Sequence, residues 1–324
     1  MSALQAAALA VDERPGRTCP VSYRYPPRVF DRAPEIVAPT LYVVGGLYGN
    51  VEALSTVLAM AEAERGEVGI VFNGDFHWFD ADPDDYAHVQ RQVARHAALR
   101  GNVETELAHD DAAAGCGCAY PADVSDAEVH RSNEILARLR ETARRDESSR
   151  AALAALPMHL VAAVGDARVG IVHGDATSLA GWGFDARRLD APDHRRWIDH
   201  VFDEARVEVF ASSHTCLPAM RRFAGGRDGR VVANNGAAGM PNFAGTRYGL
   251  VTRVSCNAYA GANRLYGTRA SGVHVDALRI DYDPEAWMRR FLAAWPAGSS
   301  AHASYHRRML EGPRHAVERA APAS

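Results

Sequence analysis

A β-α-β unit near the start of the chain is the feature that most constrains the fold. The runs TLYVVGG at 40–46 and EVGIVFNGD at 67–75 have the length and composition of buried strands. Between them, residues 50–64 place apolar side chains at helical spacing, and Asn50 is a plausible N-cap. Such units make parallel strands whose carboxyl ends carry the functional loops. The sequence therefore predicts an α/β protein with a site at one edge of a sheet.

The rest of the chain extends this pattern into one large domain. The spacing of apolar residues predicts helices over 83–98, 125–145 and from about 284, a hairpin over 160–172, and strands over 207–212, 230–235, 248–254 and 273–282. We expect an extended N-terminal arm over 1–39, one domain over 40–285, and a C-terminal helix with a polar tail over 286–324. The arm packs on the domain or serves assembly, so a homodimer is compatible with the sequence.

Charge and residue usage exclude several function classes. The 324 residues have a formal net charge of -4, so no basic field attracts a nucleic acid polymer. The sequence contains no Lys, which excludes a lysine Schiff base and a Walker-type phosphate loop. Arginine is then the only fixed cation available for phosphate. The five Cys do not form an obvious disulfide framework, and no apolar run spans a membrane. We expect a cytoplasmic protein.

Polar residues follow several of the predicted strands. They are Asp75, Asn102, His173 and His214. A carboxylate, a carboxamide oxygen and two neutral imidazoles suit a borderline divalent metal ion such as Mn, Fe or Zn. Each residue alone is as compatible with a turn or a satisfied buried side chain. Together, the four indicate a metal site at the strand ends.

The order of short motifs resembles that of a known family. GNVEAL, GD, GNVE, HGD and SHTCLP follow one another between 49 and 218. This order is similar to that of the calcineurin-like metallophosphoesterases, particularly the prokaryotic phosphodiesterase and dinucleoside tetraphosphate phosphatase subgroup, over residues 40–285. The resemblance implies a four-layer α/β/β/α sandwich with a site for two metal ions.

Carried over residue by residue, the resemblance gives one complete metal site and one altered site. The complete site, called here the second metal site, consists of Asp75, Asn102, His173 and His214. In the first metal site, the expected Asp and two His fall on Gly46, Tyr48 and Cys216. We expect one metal ion per chain, or two if the first site is rebuilt from Tyr48, Cys216 and His77. In the alternative, Tyr48 and Cys216 only fill the vacated volume.

The catalytic groups are less defined. Val103 stands where many family members have a His that protonates the leaving group. Glu104 and Asp175 are candidates for a general base, or for groups that orient the histidine ligands. Asn50 is a candidate substrate contact. A loop over 107–124 carries Cys116 and Cys118, which could bind metal, undergo redox chemistry or be structural.

These observations predict a metal-dependent phosphoesterase-like hydrolase that acts on a small phosphorylated or nucleotide substrate. Two alternatives remain at this stage. One is a catalytically weak metal-binding relative that works as a binding or regulatory module. The other is non-hydrolytic iron chemistry that uses Tyr48 and Cys216, which would give coloured protein.

Overall fold

The apolar runs form two six-stranded β-sheets in the computed structural model, which describes residues 14–110 and 113–322. The strands are β1 (Ile36–Val37), β2 (Thr40–Val44), β3 (Val68–Asn73), β4 (Ala97–Leu99), β5 (His159–Val164), β6 (Ala167–Val172), β7 (Val209–Ser212), β8 (Ala219–Phe223), β9 (Arg230–Asn234), β10 (Gly249–Ser255), β11 (Arg264–Ala270) and β12 (Val273–Ile280). The helices are α1 (Val51–Glu62), α2 (Pro83–Val93), α3 (Asn102–Ala108), α4 (Asp126–Ala143), α5 (Glu147–Ala155), α6 (Ala186–Leu189), α7 (Arg195–Ala205), α8 (Pro284–Ala294), α9 (Ser300–Glu311) and α10 (Val317–Ala320). Short 3-10 helices cover Val21–Tyr23, Pro27–Phe30 and Pro192–His194.

The strand order confirms the predicted β-α-β unit. One sheet has the order β11-β12-β10-β2-β3-β4, in which β2, β3 and β4 are parallel neighbours. The other has the order β1-β5-β6-β7-β9-β8, in which β6, β7 and β9 are parallel. Each sheet therefore gathers the carboxyl ends of several strands at one edge.

The two sheets pack face to face, with helices on both outer faces. Leu41 and Val43 of β2 are fully buried in one apolar cluster with Ile171 of β6 and Val209 of β7. On the far side of the first sheet, α1, α2, α4 and α8 contribute buried side chains to a second cluster. Helix α7 covers the other sheet. The result is the four-layer α/β/β/α arrangement that we expected.

The described part of the N-terminal arm packs on its own domain. Strand β1 pairs with β5 in parallel, so the arm adds an edge strand to one sheet. Tyr23 donates a hydrogen bond to Glu106 at 2.6 Å, and Tyr25 donates to the backbone oxygen of Asp175 at 2.8 Å. Residues 1–13 of the arm lie outside the described residues.

The C-terminal segment differs from the polar tail expected for it. Residues 296–322 include α9 and α10 after α8. Ala301, Tyr305 and Met309 recur every four residues and give α9 a buried face, and Arg131 of α4 donates to Ser304 at 2.6 Å. Because most residues of this segment are polar, the narrow apolar stripe of α9 was not recognised from the sequence. Within the described ranges, no helix combines the length and apolar character needed to cross a membrane.

Candidate metal centre

Strand ends from both sheets bring the predicted metal ligands together. Asp75 follows β3 after one Gly, His173 follows β6 directly, and His214 lies two residues beyond β7. Asn102 is the first residue of α3, which begins shortly after β4. All four side chains are buried. We call these four residues the acceptor cluster.

The acceptor cluster is compact. His173 Nε2 lies 3.2 Å from Asp75 Oδ2, 3.2 Å from Asn102 Oδ1 and 3.1 Å from His214 Nδ1. Asp75, His173 and His214 offer ligand atoms that all lie within 4.8 Å of one another. Thus one imidazole nitrogen is in contact with three other polar atoms.

Backbone carbonyls next to the acceptor cluster determine which nitrogens of the two histidine rings carry protons. His173 Nδ1 lies 3.0 Å from the backbone oxygen of Asn73, and His214 Nε2 lies 3.1 Å from that of Cys118. A carbonyl accepts only, so these nitrogens carry the ring protons and the two facing nitrogens are bare in the neutral rings. Asn102 Nδ2 donates to the backbone oxygen of Cys116 at 2.8 Å, which turns its Oδ1 inward. When both rings are neutral, four lone pairs therefore converge with no donor among them.

This donor set fits a metal ion. An ion bonded at about 2.1 Å to each atom would separate neighbouring ligands by about 3.0 Å in an octahedron or about 3.4 Å in a tetrahedron. The three separations from His173 Nε2 to the other ligand atoms, 3.1–3.2 Å, lie between these values. Two imidazoles and two oxygens suit borderline ions, and each imidazole has the carbonyl partner typical of metal ligands.

The ionisable groups of the acceptor cluster shift one another's pKa values. Burial raises the pKa of Asp75, but the facing His173 outweighs it and holds that pKa below its ordinary value. Burial lowers the pKa of His173, yet Asp75 raises it above the ordinary value. Burial and the neighbouring His173 lower the pKa of His214 to about 3. Without an ion, one proton is thus held between Asp75 and His173, and His214 stays neutral.

Glu104 holds the strand ends in place. Its carboxylate accepts the backbone N–H groups of Asp75 at 2.7 Å, Phe76 at 2.9 Å and Gly101 at 2.9 Å. Its side chain is fully buried and touches no open space. A Cβ at Gly101 would lie 2.3 Å from Asp75 Oδ1, so only Gly allows this approach. This arrangement assigns Glu104 to positioning rather than to proton transfer.

Tyr48 and Cys216, which the family resemblance aligns with ligands of the first metal site, contact each other. Tyr48 Oη lies 3.0 Å from Cys216 Sγ, and both residues have positive φ. A Cβ at Gly46 would lie 2.9 Å from Tyr48 Cζ, so the phenol ring covers the position of the missing side chain. Burial, Cys216 and Asp75 raise the pKa of Tyr48 well above its ordinary value. Burial also raises the pKa of Cys216, although Arg308 opposes the shift. Both groups therefore stay protonated and bonded to each other.

Three other candidates lie away from the acceptor cluster. The ring nitrogens of His77 contact Asp80 at 2.6 Å and Gln90 at 2.9 Å, so neither faces the cluster. Asn50 is fully buried, caps α1 and donates to the backbone oxygen of Gly239 at 2.9 Å, so its side chain joins the start of α1 to the loop after β9.

Asp175 also serves the backbone. Its carboxylate accepts the N–H groups of Thr177, Ser178 and Gly183 at 2.8–3.0 Å, and it organises the loop after β6. It lines a different surface depression from the one above the cluster. This side chain therefore acts on the loop rather than on a reacting group.

A pocket of about 270 Å³ opens above the acceptor cluster. The sequence did not indicate most of its walls, which come from distant segments: Trp78, Tyr120, Trp182, Tyr305 and Arg308. The cysteine loop forms another wall, because Cys118 lines the pocket and its carbonyl also accepts the Trp182 indole N–H at 3.1 Å. Cys116 and Cys118 are both buried, and burial raises the pKa of Cys118 well above its ordinary value. This loop is structural in the geometry seen here.

Comparison with known proteins identifies the fold. The chain is similar to a solved metallophosphoesterase from Sphaerobacter thermophilus, at 18% identity and a TM-score of 0.53, over 85% of this chain and 100% of that one. It is also similar to a solved hypothetical protein from Pyrococcus horikoshii, at 18% identity and a TM-score of 0.54, over 86% and 100%. No protein-family model and no curated protein matches. The fold is that of the metallophosphoesterases, as the sequence motifs predicted.

Proposed function

We propose that this chain is a metal-dependent phosphoesterase that uses one metal ion, held by Asp75, Asn102, His173 and His214, to hydrolyse a small phosphorylated substrate. The observation that carries the proposal is the convergence of four potential ligand atoms, two imidazole nitrogens and two oxygens, beneath a pocket. The metallophosphoesterase fold supports it. Manganese, iron and zinc all suit the donor set.

The chemistry that such an ion supplies when bound is polarisation of a phosphoryl oxygen and activation of water. The side chains of the protein set the conditions for it. Asp75 and the two imidazoles give the site one negative charge and two neutral donors, and the buried position keeps these donors fixed. The backbone oxygens of Asn73 and Cys118 keep the rings from turning.

Neither Val103 nor Glu128 is placed to protonate a leaving group in the pocket. Val103 is apolar and fully buried at the position where related enzymes have a proton donor. Glu128 at the rim is exposed and accepts from Ser125, within the capping box of α4. A substrate whose leaving group needs no proton should therefore react fastest.

The proposal is tested with two aryl phosphate esters, 4-nitrophenyl phosphate and bis(4-nitrophenyl) phosphate, on protein reconstituted with Mn²⁺. We expect hydrolysis of at least one ester, loss of at least about 100-fold in His173→Ala, and little change in His96→Ala. His96 is a half-buried histidine outside the acceptor cluster that packs against Phe72. Absence of hydrolysis in the metal-loaded wild-type protein would refute the enzymatic part of the proposal.

A second candidate is a binding module for a phosphorylated ligand, without turnover. The observation that favours it is the contact between Tyr48 Oη and Cys216 Sγ at 3.0 Å, since the family resemblance aligns both residues with ligands of another metal ion. Two-metal enzymes clamp both the attacking and the leaving oxygen, and this chain has donors for one half of that clamp. Metal-dependent binding of inorganic phosphate without ester hydrolysis would select this candidate.

A further inference from the structure

One cation lines the pocket without a carboxylate partner. Arg308 of α9 is the only arginine among the described residues that line it, and no described Asp or Glu forms an ion pair with Arg308. Most other arginines around the molecule have such a partner; the neighbouring Arg307 pairs with Glu311 at 2.8 Å. A guanidinium without a counterion beside a pocket attracts an anion.

The guanidinium of Arg308 is held in a fixed position. Its Nη2 donates to the backbone oxygens of Cys216 at 2.5 Å and Pro241 at 3.2 Å, and its Nε donates to Pro241 at 3.3 Å. These three hydrogen bonds hold the guanidinium in place and use Nη2 and Nε. Among the described residues, no backbone oxygen and no carboxylate accepts from Nη1, and the guanidinium also lies beside the Cys216 thiol.

Arg308 lies next to the Tyr48–Cys216 pair. It bonds the carbonyl of Cys216, whose thiol contacts the Tyr48 hydroxyl at 3.0 Å, and both residues line the same pocket as Asp75 and His214. A phosphate bound above the acceptor cluster would carry negative charge on more than one oxygen. An ion held by the acceptor cluster would balance the charge of one of these oxygens. Among the described residues that line the pocket, only Arg308 carries a fixed positive charge for the others.

We propose that Arg308 binds a non-bridging oxygen of the phosphate group in this pocket, so that helix α9 completes the anion site. This inference rests on the proposed function for the identity of the anion. Charge-assisted hydrogen bonds from arginine to phosphate are among the strongest that proteins make. The three carbonyl contacts also attach α9 to the loops after β7 and β9, so the test must separate a role in packing from a role in binding.

The test is isothermal titration of inorganic phosphate into Mn²⁺-reconstituted protein, comparing the wild type with Arg308→Gln and Arg307→Gln. Arg307 is the matched control, since it is adjacent, exposed and on the same helix. We expect Kd to rise at least about tenfold in Arg308→Gln and less than about twofold in Arg307→Gln. Metal content and unfolding midpoint are recorded for each variant.

An unchanged Kd in Arg308→Gln, or equal loss in both variants, would overturn the inference. Phosphate binding that depends on Arg308 in a protein that cleaves no ester would instead remove the proposed enzymatic function and leave the anion site standing. Ester hydrolysis whose rate does not change in Arg308→Gln would leave the enzymatic function standing and remove the proposed anion site.

A second measurement needs no variant and covers the case in which Arg308→Gln does not fold. Phenylglyoxal modifies arginine, and mass spectrometry gives its rate at each position in the wild-type protein. Saturating phosphate should slow the modification of Arg308 severalfold and leave Arg307 unchanged. Equal rates at Arg308 with and without phosphate would overturn the inference.

Discussion

At the scale of single residues, the acceptor cluster depends on groups that never face the pocket. Glu104 binds the backbone on both sides of Asp75, and two carbonyls set the histidine tautomers. The four strand-end residues could be predicted, since apolar runs that end in polar side chains are visible in sequence. The contacts of Tyr48 with Cys216 and of Arg308 with the pocket could not, because they join segments far apart in the chain.

Glu104→Gln should weaken metal binding by about 10–100-fold, because the amide group would place a donor against backbone N–H groups that need an acceptor and would shift Asp75. Asp175→Asn is the matched control. It alters a buried carboxylate that also accepts backbone N–H groups but lies outside the pocket. Competition titrations with a metal indicator measure both affinities, and equal losses would show that Glu104 acts only on general stability.

Metal affinity should fall as the pH is lowered. The pKa of His173 is raised in the folded, metal-free protein, chiefly because Asp75 outweighs the effect of burial. This protonated pair stabilises the metal-free fold fully below the ordinary histidine pKa of about 6.5, and the contribution is lost as the pH rises through the raised value. An ion must displace that proton.

We therefore expect the Kd for Mn²⁺ to increase by up to about tenfold for each unit of pH below the raised pKa of His173. Titration calorimetry in buffers of different ionisation enthalpy should detect release of about one proton per ion near neutral pH. A Kd that does not vary between about pH 6 and pH 8 would contradict this account of the cluster.

At the scale of secondary structure, the sequence predicts most of the long apolar strands and the helices α1, α2, α4 and α8. It misses α7, although Ile198, Val201, Phe202 and Ala205 recur there at helical spacing, and it misses the short or polar elements. The apolar spacing predicts a helix over 83–98, but α2 ends at Val93 and the three residues Ala97–Leu99 form β4. β8 carries two arginines, and β11 is an edge strand with exposed positions, so neither has a continuous apolar run. Helix α9 packs only three of its apolar residues against the core, Ala301, Tyr305 and Met309, and its contribution to the pocket is visible only in the folded structure.

Asn50→Ala tests how helix α1 is joined to the loop that precedes it. The Asn50 side chain accepts the N–H of Ala53 and donates to Gly239, both at 2.9 Å, in a fully buried position. Loss of the cap and an unpaired carbonyl should lower the free energy of unfolding by about 2 kcal/mol.

The control is Ser125→Ala at the exposed N-cap of α4, where we expect a loss of about 1 kcal/mol or less. Urea denaturation at matched metal content measures both. Equal losses would mean that the buried contact with Gly239 adds nothing. A selective loss of phosphate binding in Asn50→Ala, without loss of stability, would restore Asn50 as a substrate contact.

At the scale of the whole molecule, the acceptor cluster joins the two sheets. Asp75 and Asn102 follow strands of one sheet, and His173 and His214 follow strands of the other. The four-layer arrangement could be predicted because the motif order resembles that of a family with this fold. The way the N-terminal arm and α9 close around the domain could not, since neither segment belongs to those motifs.

Because an ion would link the two sheets, it should stabilise the folded protein. At a metal concentration of about 100 times Kd, linkage gives about 2.7 kcal/mol, which corresponds to an increase of about 4 °C in the unfolding midpoint. Chelation should reverse the increase. Differential scanning fluorimetry measures it, with His173→Ala as the variant that should show almost no shift. An equal shift in His173→Ala would mean that the stabilising ion binds outside the acceptor cluster.

The central claim is that this chain holds one metal ion in the second metal site, while Tyr48 and Cys216 fill the first. The most direct measurement is metal stoichiometry by elemental analysis after reconstitution, in the wild type, Tyr48→Phe, Cys216→Ala and His173→Ala. We predict one ion per chain in the first three proteins and close to none in His173→Ala. Two ions in the wild type, falling to one in Tyr48→Phe or Cys216→Ala, would contradict the claim and show a rebuilt two-metal centre.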